Sequence, residues 1–266
     1  LARAGSGDLR SLVTLIVLGL FAYMSIGGIL APARSSLESL TTLTLNAPTQ
    51  RLGDLLATRL PLGAATLASL AAAAVVAVAL AYAFAGATFR KSPIHILSGL
   101  GVGLCVVAGW ALTGLSFDEL AARPLAPISL TFVRPTGDSL EWLQRYTASP
   151  LPGFGVASLF GALLGSFAVS FGRGHFRLAT FTDVGDTLRH LGGAILMGLG
   201  GVMAMGCTVG QGLTGVSTLA LGSFVALAGI VGGGAATLRH ITWRAGRVGS
   251  YRKGIRRRGN RRERPA

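Results

Sequence analysis

The chain is poor in charge, in cysteine and in acidic residues. Only 13% of its 266 residues are charged, and Asp and Glu together number 10. A soluble domain carries about 25% charged residues, and a disordered chain carries more charge still with fewer apolar residues. Both classes are excluded. Two cysteines cannot build a disulfide scaffold or a thiolate zinc site. No His, Cys, Asp or Glu cluster has metal-ligand spacing, and no bound cofactor is implied. No pair of carboxylates lies inside an apolar run, which argues against a proton relay of the usual acidic kind. What the chain has is 51% hydrophobic residues and 39 glycines without a three-residue period. Its mean hydropathy is +0.60. These values define a polytopic membrane protein.

Charge-free runs locate the crossings. A crossing needs about 20 residues. The runs between charges predict six: 11–33, 62–86, 94–116, 153–172, 187–206 and 219–238. Backbone polar groups in lipid must pair internally, and nothing alternates like an outer-membrane strand, so the expected fold is all-α. The longest run, His190–Leu238, holds two crossings and 14 of the 39 glycines.

The net charge of +14 is unevenly spread: eleven Lys/Arg and one Glu fall between Arg239 and the C-terminus. Residues 1–239 form the expected transmembrane domain, and 240–266 a basic tail. Counting Lys and Arg by side gives eighteen against six, which favours both termini in the cytoplasm. Seven of the eighteen remain without the tail, so the tail carries the assignment. Polybasic sequence after a membrane helix reads as an anionic-lipid and topology signal rather than a nucleic-acid site. Within the outer loop, Asp138–Tyr146 reads as a short amphipathic surface helix, with Asp138 as N-cap and Glu141 as capping-box partner. Asp186 is read as the cap of the fifth crossing. His95 and His190 sit at span ends.

The informative segment is Gly206-Cys207-Thr208-Val209-Gly210-Gln211-Gly212-Leu213-Thr214-Gly215. Four glycines in ten residues oppose continuous helix, at about 1 kcal/mol each relative to alanine. Broken helix at membrane depth is tolerated where it is buried in protein or lines a cavity, and transporters build midplane sites that way. The candidate binding residues are Cys207, Gly206, Thr208, Gly210, Gln211 and Gly212. Gly192, Gly193, Gly198, Gly200, Gly201 and Gly232–Gly234 read as helix-packing contacts. Gly210-x-Gly212-x-x-Gly215 spells a dinucleotide fingerprint, but no strand or βαβ unit accompanies it. Cys105, among apolar neighbours, reads as packing, with a second-thiol role as the alternative.

The stretch from Gly192 through Gly215, with its Gly-Cys-Thr-Val-Gly-Gln-Gly core, resembles the cysteine motif of the YeeE/YedE family of sulfur-compound (thiosulfate) transporters. Gly7–Leu12 and Thr131–Asp138 resemble that family too. The resemblance implies two related halves of opposite orientation, short helices entering from each face, and cysteines that contact thiosulfate. Only Cys207 carries over. Family members have further cysteine motifs upstream of the point matching Leu1, so the chain reads as N-terminally incomplete. The implied function is uptake of a small sulfur oxyanion across a bacterial cytoplasmic membrane by hydrogen bonding at Cys207, with no covalent step. A small TusA-like cytoplasmic sulfur carrier is the implied partner. The alternatives are a membrane sulfurtransferase forming a persulfide on Cys207 and a non-transporting partner subunit.

Overall fold

The computed structural model describes the chain except residues 44, 46, 62, 118–125, 149–150, 182 and 263–266. Over 244–262 it describes the backbone alone. Arg123, Glu263 and Arg264 of the charge count lie outside the described residues. Helices α1 (Ala2–Gly5), α2 (Leu9–Ile26), α3 (Ala31–Thr41), α4 (Leu52–Ala57), α5 (Ala64–Ala85), α6 (Ala87–Arg90), α7 (Pro93–Leu115), α8 (Val133–Gln144), α9 (Phe154–Gly172), α10 (Val184–Met203) and α11 (Leu221–Arg262) follow in order. No strand element occurs among the described residues.

Five helices are long and apolar enough to cross a membrane: α2, α5, α7, α9 and the Leu221–Trp243 part of α11. The chain is an all-α polytopic membrane protein. The expected fifth crossing is a helix, α10, but it is not among the five. Asp186, Arg189 and His190 occupy its first two turns and leave only Leu191–Met203 without charge. The first crossing also ends early. α2 stops at Ile26, where Gly27 and Gly28 turn the chain into α3. α5 is apolar all round and buries only Leu67, so most of its surface is left to lipid or to other chains.

The core lies where α2, α8 and α10 meet. Leu18, Ala22, Val133, Ala194 and Val202 form one buried cluster, and Cys207 packs against it. In lipid, helix association rests on close van der Waals fit, which small residues permit. A Cβ on Gly19 would lie 2.8 Å from the Thr136 carbonyl oxygen, and one on Gly198 would lie 2.7 Å from the Leu18 carbonyl oxygen. Gly201 seats Val133 in the same way. The packing expectation therefore holds for Gly198 and Gly201. It fails for Gly192, Gly193 and Gly200, where a Cβ would meet nothing within 4 Å.

Two further expectations are corrected. α8 starts at Val133 rather than after Asp138, with Phe132 at the N-cap. Its first half is not at the surface, since Val133, Pro135, Thr136, Gly137 and Ser139 are buried, while Leu143 and Gln144 at its end are exposed. Asp138 sits inside it and pairs with Arg134 at 3.5 Å. Pro135 in the first turn suits a helix start, and the buried face outweighs the capping-box spacing. The cap of α10 is Asp183, whose carboxylate accepts from the Gly185 N–H. Asp186, one turn inside, instead faces Arg10 at 3.9 Å and His190 at 3.6 Å.

Asp8 caps α2, accepting from the Arg10 N–H and Nε and from the Ser11 hydroxyl. Burial pushes its carboxyl up, but these hydrogen bonds and the Arg10 charge outweigh it and hold the group below the usual range. A parallel bridge between Asp8 and Ala179 ties the start of α2 to the segment entering α10.

The chain divides into two compact units, Leu1–Phe224 and Val225–Ala266. The second is the remainder of α11 and the C-terminal residues. Its backbone stays helical through the basic stretch to Arg262.

Candidate functional site

The glycine-rich break has a defined geometry. α10 ends at Met203. The Gly206 N–H donates to the Gly201 carbonyl at 2.8 Å, and the Met205 N–H donates to Val202 at 3.0 Å. These two bonds are those of a Schellman closure, which puts Met205 in the left-handed position usually held by glycine. Its φ is 54°. Residues 208–217 then form a short helix, with Gly210–Gly215 as a π-turn. Leu219, with φ 56°, closes its far end. Met205 and Leu219 are the only non-glycine residues at positive φ among those described. Bulky residues rarely adopt that region, and such strain clusters at functional sites.

Cys207 stands at the head of this short helix. Its carbonyl accepts from the Gln211 N–H at 2.7 Å. It is half-buried and its thiol is free. Thr208 beside it is exposed. A helix start leaves its first N–H groups without intrahelical partners and attracts negative charge. Gln211 plays a structural part, since its Nε2 donates to the Ala204 carbonyl at 2.6 Å and clasps the break. Gly206 makes room for the Gln211 side chain, where a Cβ would lie 3.2 Å from its Cγ. Gly210 receives Thr131: a Cβ there would lie 2.6 Å from the Thr131 hydroxyl. Gly212 forms part of the π-turn.

A second irregular segment meets the first, in an apolar stretch too short to span the membrane. Residues 126–132 run without regular structure into α8. Ser129 is buried and donates to the Val106 carbonyl at 2.7 Å. The Thr113 hydroxyl donates to the Ile128 carbonyl at 2.6 Å. Thr214 then donates to the Leu130 carbonyl at 2.7 Å, joining residues 84 positions apart. Non-helical backbone is thus held by side chains of α7 and of the short helix, as burial in a membrane protein requires. The available signals were Ser129 and Thr131 within an otherwise apolar stretch, and Pro135 two residues after the helix start. The Arg51–Ala220 bridge pins the exit of the short helix, with the Leu52 N–H donating to Leu219 at 2.9 Å.

Cys105 lies on the exposed face of α7. Among the described residues of the first unit, none buries it. No His, Cys, Asp or Glu group suited to a metal ion occurs among the described residues. The literal dinucleotide fingerprint is a π-turn preceded by helix.

Membrane-crossing helices that frame two broken segments, packed together beside a cysteine, are the architecture of a multi-pass membrane transporter. The sulphur transport family model matches residues 1–236, so the chain belongs to the sulphur transport (YeeE/YedE) family. A search of the curated proteins finds no match to the chain. The membership makes it a member of a family of sulfur-compound transporters.

Proposed function

We propose that the chain carries thiosulfate, or a closely related small inorganic sulfur compound, into the cell. The observation that supports this most directly is the position of Cys207. It is a half-buried free thiol at the head of a short helix, beside the break in α10. A divalent oxyanion in lipid needs donors to replace its hydration. Helix-start N–H groups and the Thr208 hydroxyl supply them, and the thiol offers a weak donor and a soft contact for a terminal sulfur. Passage requires binding that is weak and divided among sites, so the thiosulfate is passed on without a covalent step. Gly206, Gly210 and Gly212 shape the turn around it, and Gln211 holds the turn together. Cys105 is the candidate for a second thiol contact.

The membrane in this reading is the bacterial cytoplasmic membrane, with the C-terminus inside, the tail against anionic lipid, and a TusA-like carrier receiving the sulfur. The test is growth on thiosulfate as sole sulfur source by cells whose only uptake route is the full-length protein. Cys207→Ala is expected to abolish growth while membrane levels stay normal. Wild-type growth of this variant overturns the role of Cys207, and a persulfide trapped on Cys207 replaces passage with sulfur transfer.

A further inference from the structure

α8 carries a second set of charged groups, apart from Cys207. Arg134, Asp138, Glu141 and Arg145 line one open cavity of about 840 Å³ between α7, α8 and the start of α9. Thr131 lines it too, and the same residue packs on Gly210. The cavity therefore lies one residue away from the broken segment. Along α8 the charges form two i,i+4 pairs, Arg134–Asp138 at 3.5 Å and Glu141–Arg145 at 2.8 Å. The Arg134 side chain lines the cavity and is 72% accessible, so its donors are open to solvent. Trp142 also lines the cavity, and its indole N–H is buried without a partner.

We infer that this cavity is an antechamber in which Arg134 binds a small divalent oxyanion while Asp138, displaced from Arg134, takes up a proton. The inference rests on the transport reading above and adds a loading step to it. In the empty state Arg134 and Asp138 neutralise each other. An arriving oxyanion competes for the guanidinium, whose fork of donors suits oxyanions. The released carboxylate is left beside both the anion and Glu141. It relieves that repulsion by taking up a proton from hydronium or a buffer acid in the solvent on the cavity side. Anion and proton thus enter together, and the load carries one negative charge fewer.

The setting of Asp138 agrees with this. Burial raises its carboxyl above the usual carboxylate range; Arg134 pulls it down, and Glu141 adds to the rise. Displacing Arg134 removes the opposing influence. The ionisable side chains among the described lining residues are these four alone. From α2, Tyr23 lies against the neighbouring Gly137. α7 and α9 contribute no charged side chain. The antechamber reads charge and size. Selection for sulfur is left to Cys207, so sulfate should bind here as well as thiosulfate does.

The test uses the full-length protein in detergent, titrated with thiosulfate and with sulfate at mildly acid and at neutral pH. Binding is read by calorimetry, and proton uptake by an indicator in weak buffer. Binding is expected to tighten on acidification, by at most about tenfold per pH unit for one linked proton. Each bound anion should take up a fraction of a proton. Asp138→Asn should bind tightly at both pH values with no proton uptake. Arg134→Gln should weaken binding about tenfold or more at both. Glu141→Gln should leave the proton linkage in place. Cys207→Ala separates the two readings, since it should abolish growth on thiosulfate yet keep this binding and its pH dependence. Unchanged pH dependence in Asp138→Asn, wild-type affinity in Arg134→Gln, or no anion binding by the wild type overturns the antechamber.

Discussion

Gly210 and Thr131 are 79 positions apart, yet each limits what the other can be. A methyl on Gly210 would lie 2.6 Å from the Thr131 hydroxyl and 3.2 Å from its Cβ. Something must shift, and overpacking of this kind costs about 1–3 kcal/mol. Gly210→Ala is therefore expected to lower thermal stability and thiosulfate uptake together. Thr131→Ala in the same molecule should restore much of both, because it removes the clashing hydroxyl. A thermal-shift series on the two single variants and the double variant checks this, and strict additivity would show that the contact is not the cause. Met205 is the complementary case. A side chain at φ 54° carries strain that glycine would not, at about 1 kcal/mol. Met205→Gly is expected to raise the melting temperature. Reduced uptake alongside that gain would show that the strained turn serves transport.

At the scale of elements, the pairing of α2 with α10 rests on backbone proximity. Gly198 shows this, with the Leu18 carbonyl 2.7 Å from where its Cβ would be. A backbone atom cannot swing aside as a side chain can, so Gly198→Ala must push the two helices apart. Gly192, six residues earlier on α10, has nothing within 4 Å. There alanine gains helix propensity of up to about 1 kcal/mol. The two substitutions are chemically identical and should move the melting temperature in opposite directions. α8 teaches a related lesson. Its polar pattern is that of a surface helix, but its small and β-branched residues fill the gap between α2 and α10. At 12 residues it is about 18 Å long, too short to cross a bilayer core of about 30 Å, so it enters the protein rather than spanning the membrane.

For the whole molecule, the basic tail bears on topology. Eleven of the 24 Lys/Arg lie beyond Leu238. The backbone from Arg239 to Arg262 continues the last membrane helix. A reporter fused after Ala266 is expected to be active only on the cytoplasmic side. Neutralising the tail should produce a mixed population, since the remaining charges divide seven to six. A uniform orientation in that variant would show that the rest of the chain sets the topology by itself.

The sequence alone determined the membrane class, three of the membrane helices to within about three residues, and the break between Met203 and Leu221. Hydropathy and glycine content are local sums, legible wherever they accumulate. The cysteine at the head of the break was legible for the same reason. Tertiary structure alone decided which glycines are contacts, that Asp183 rather than Asp186 caps α10, and that one face of α8 is buried. It also joined Leu130 to Thr214 and set the Arg134–Asp138 pair beside the broken segment. Such pairings follow from how close two backbones come across the core, and residues so far apart in the chain share no periodic pattern to mark them.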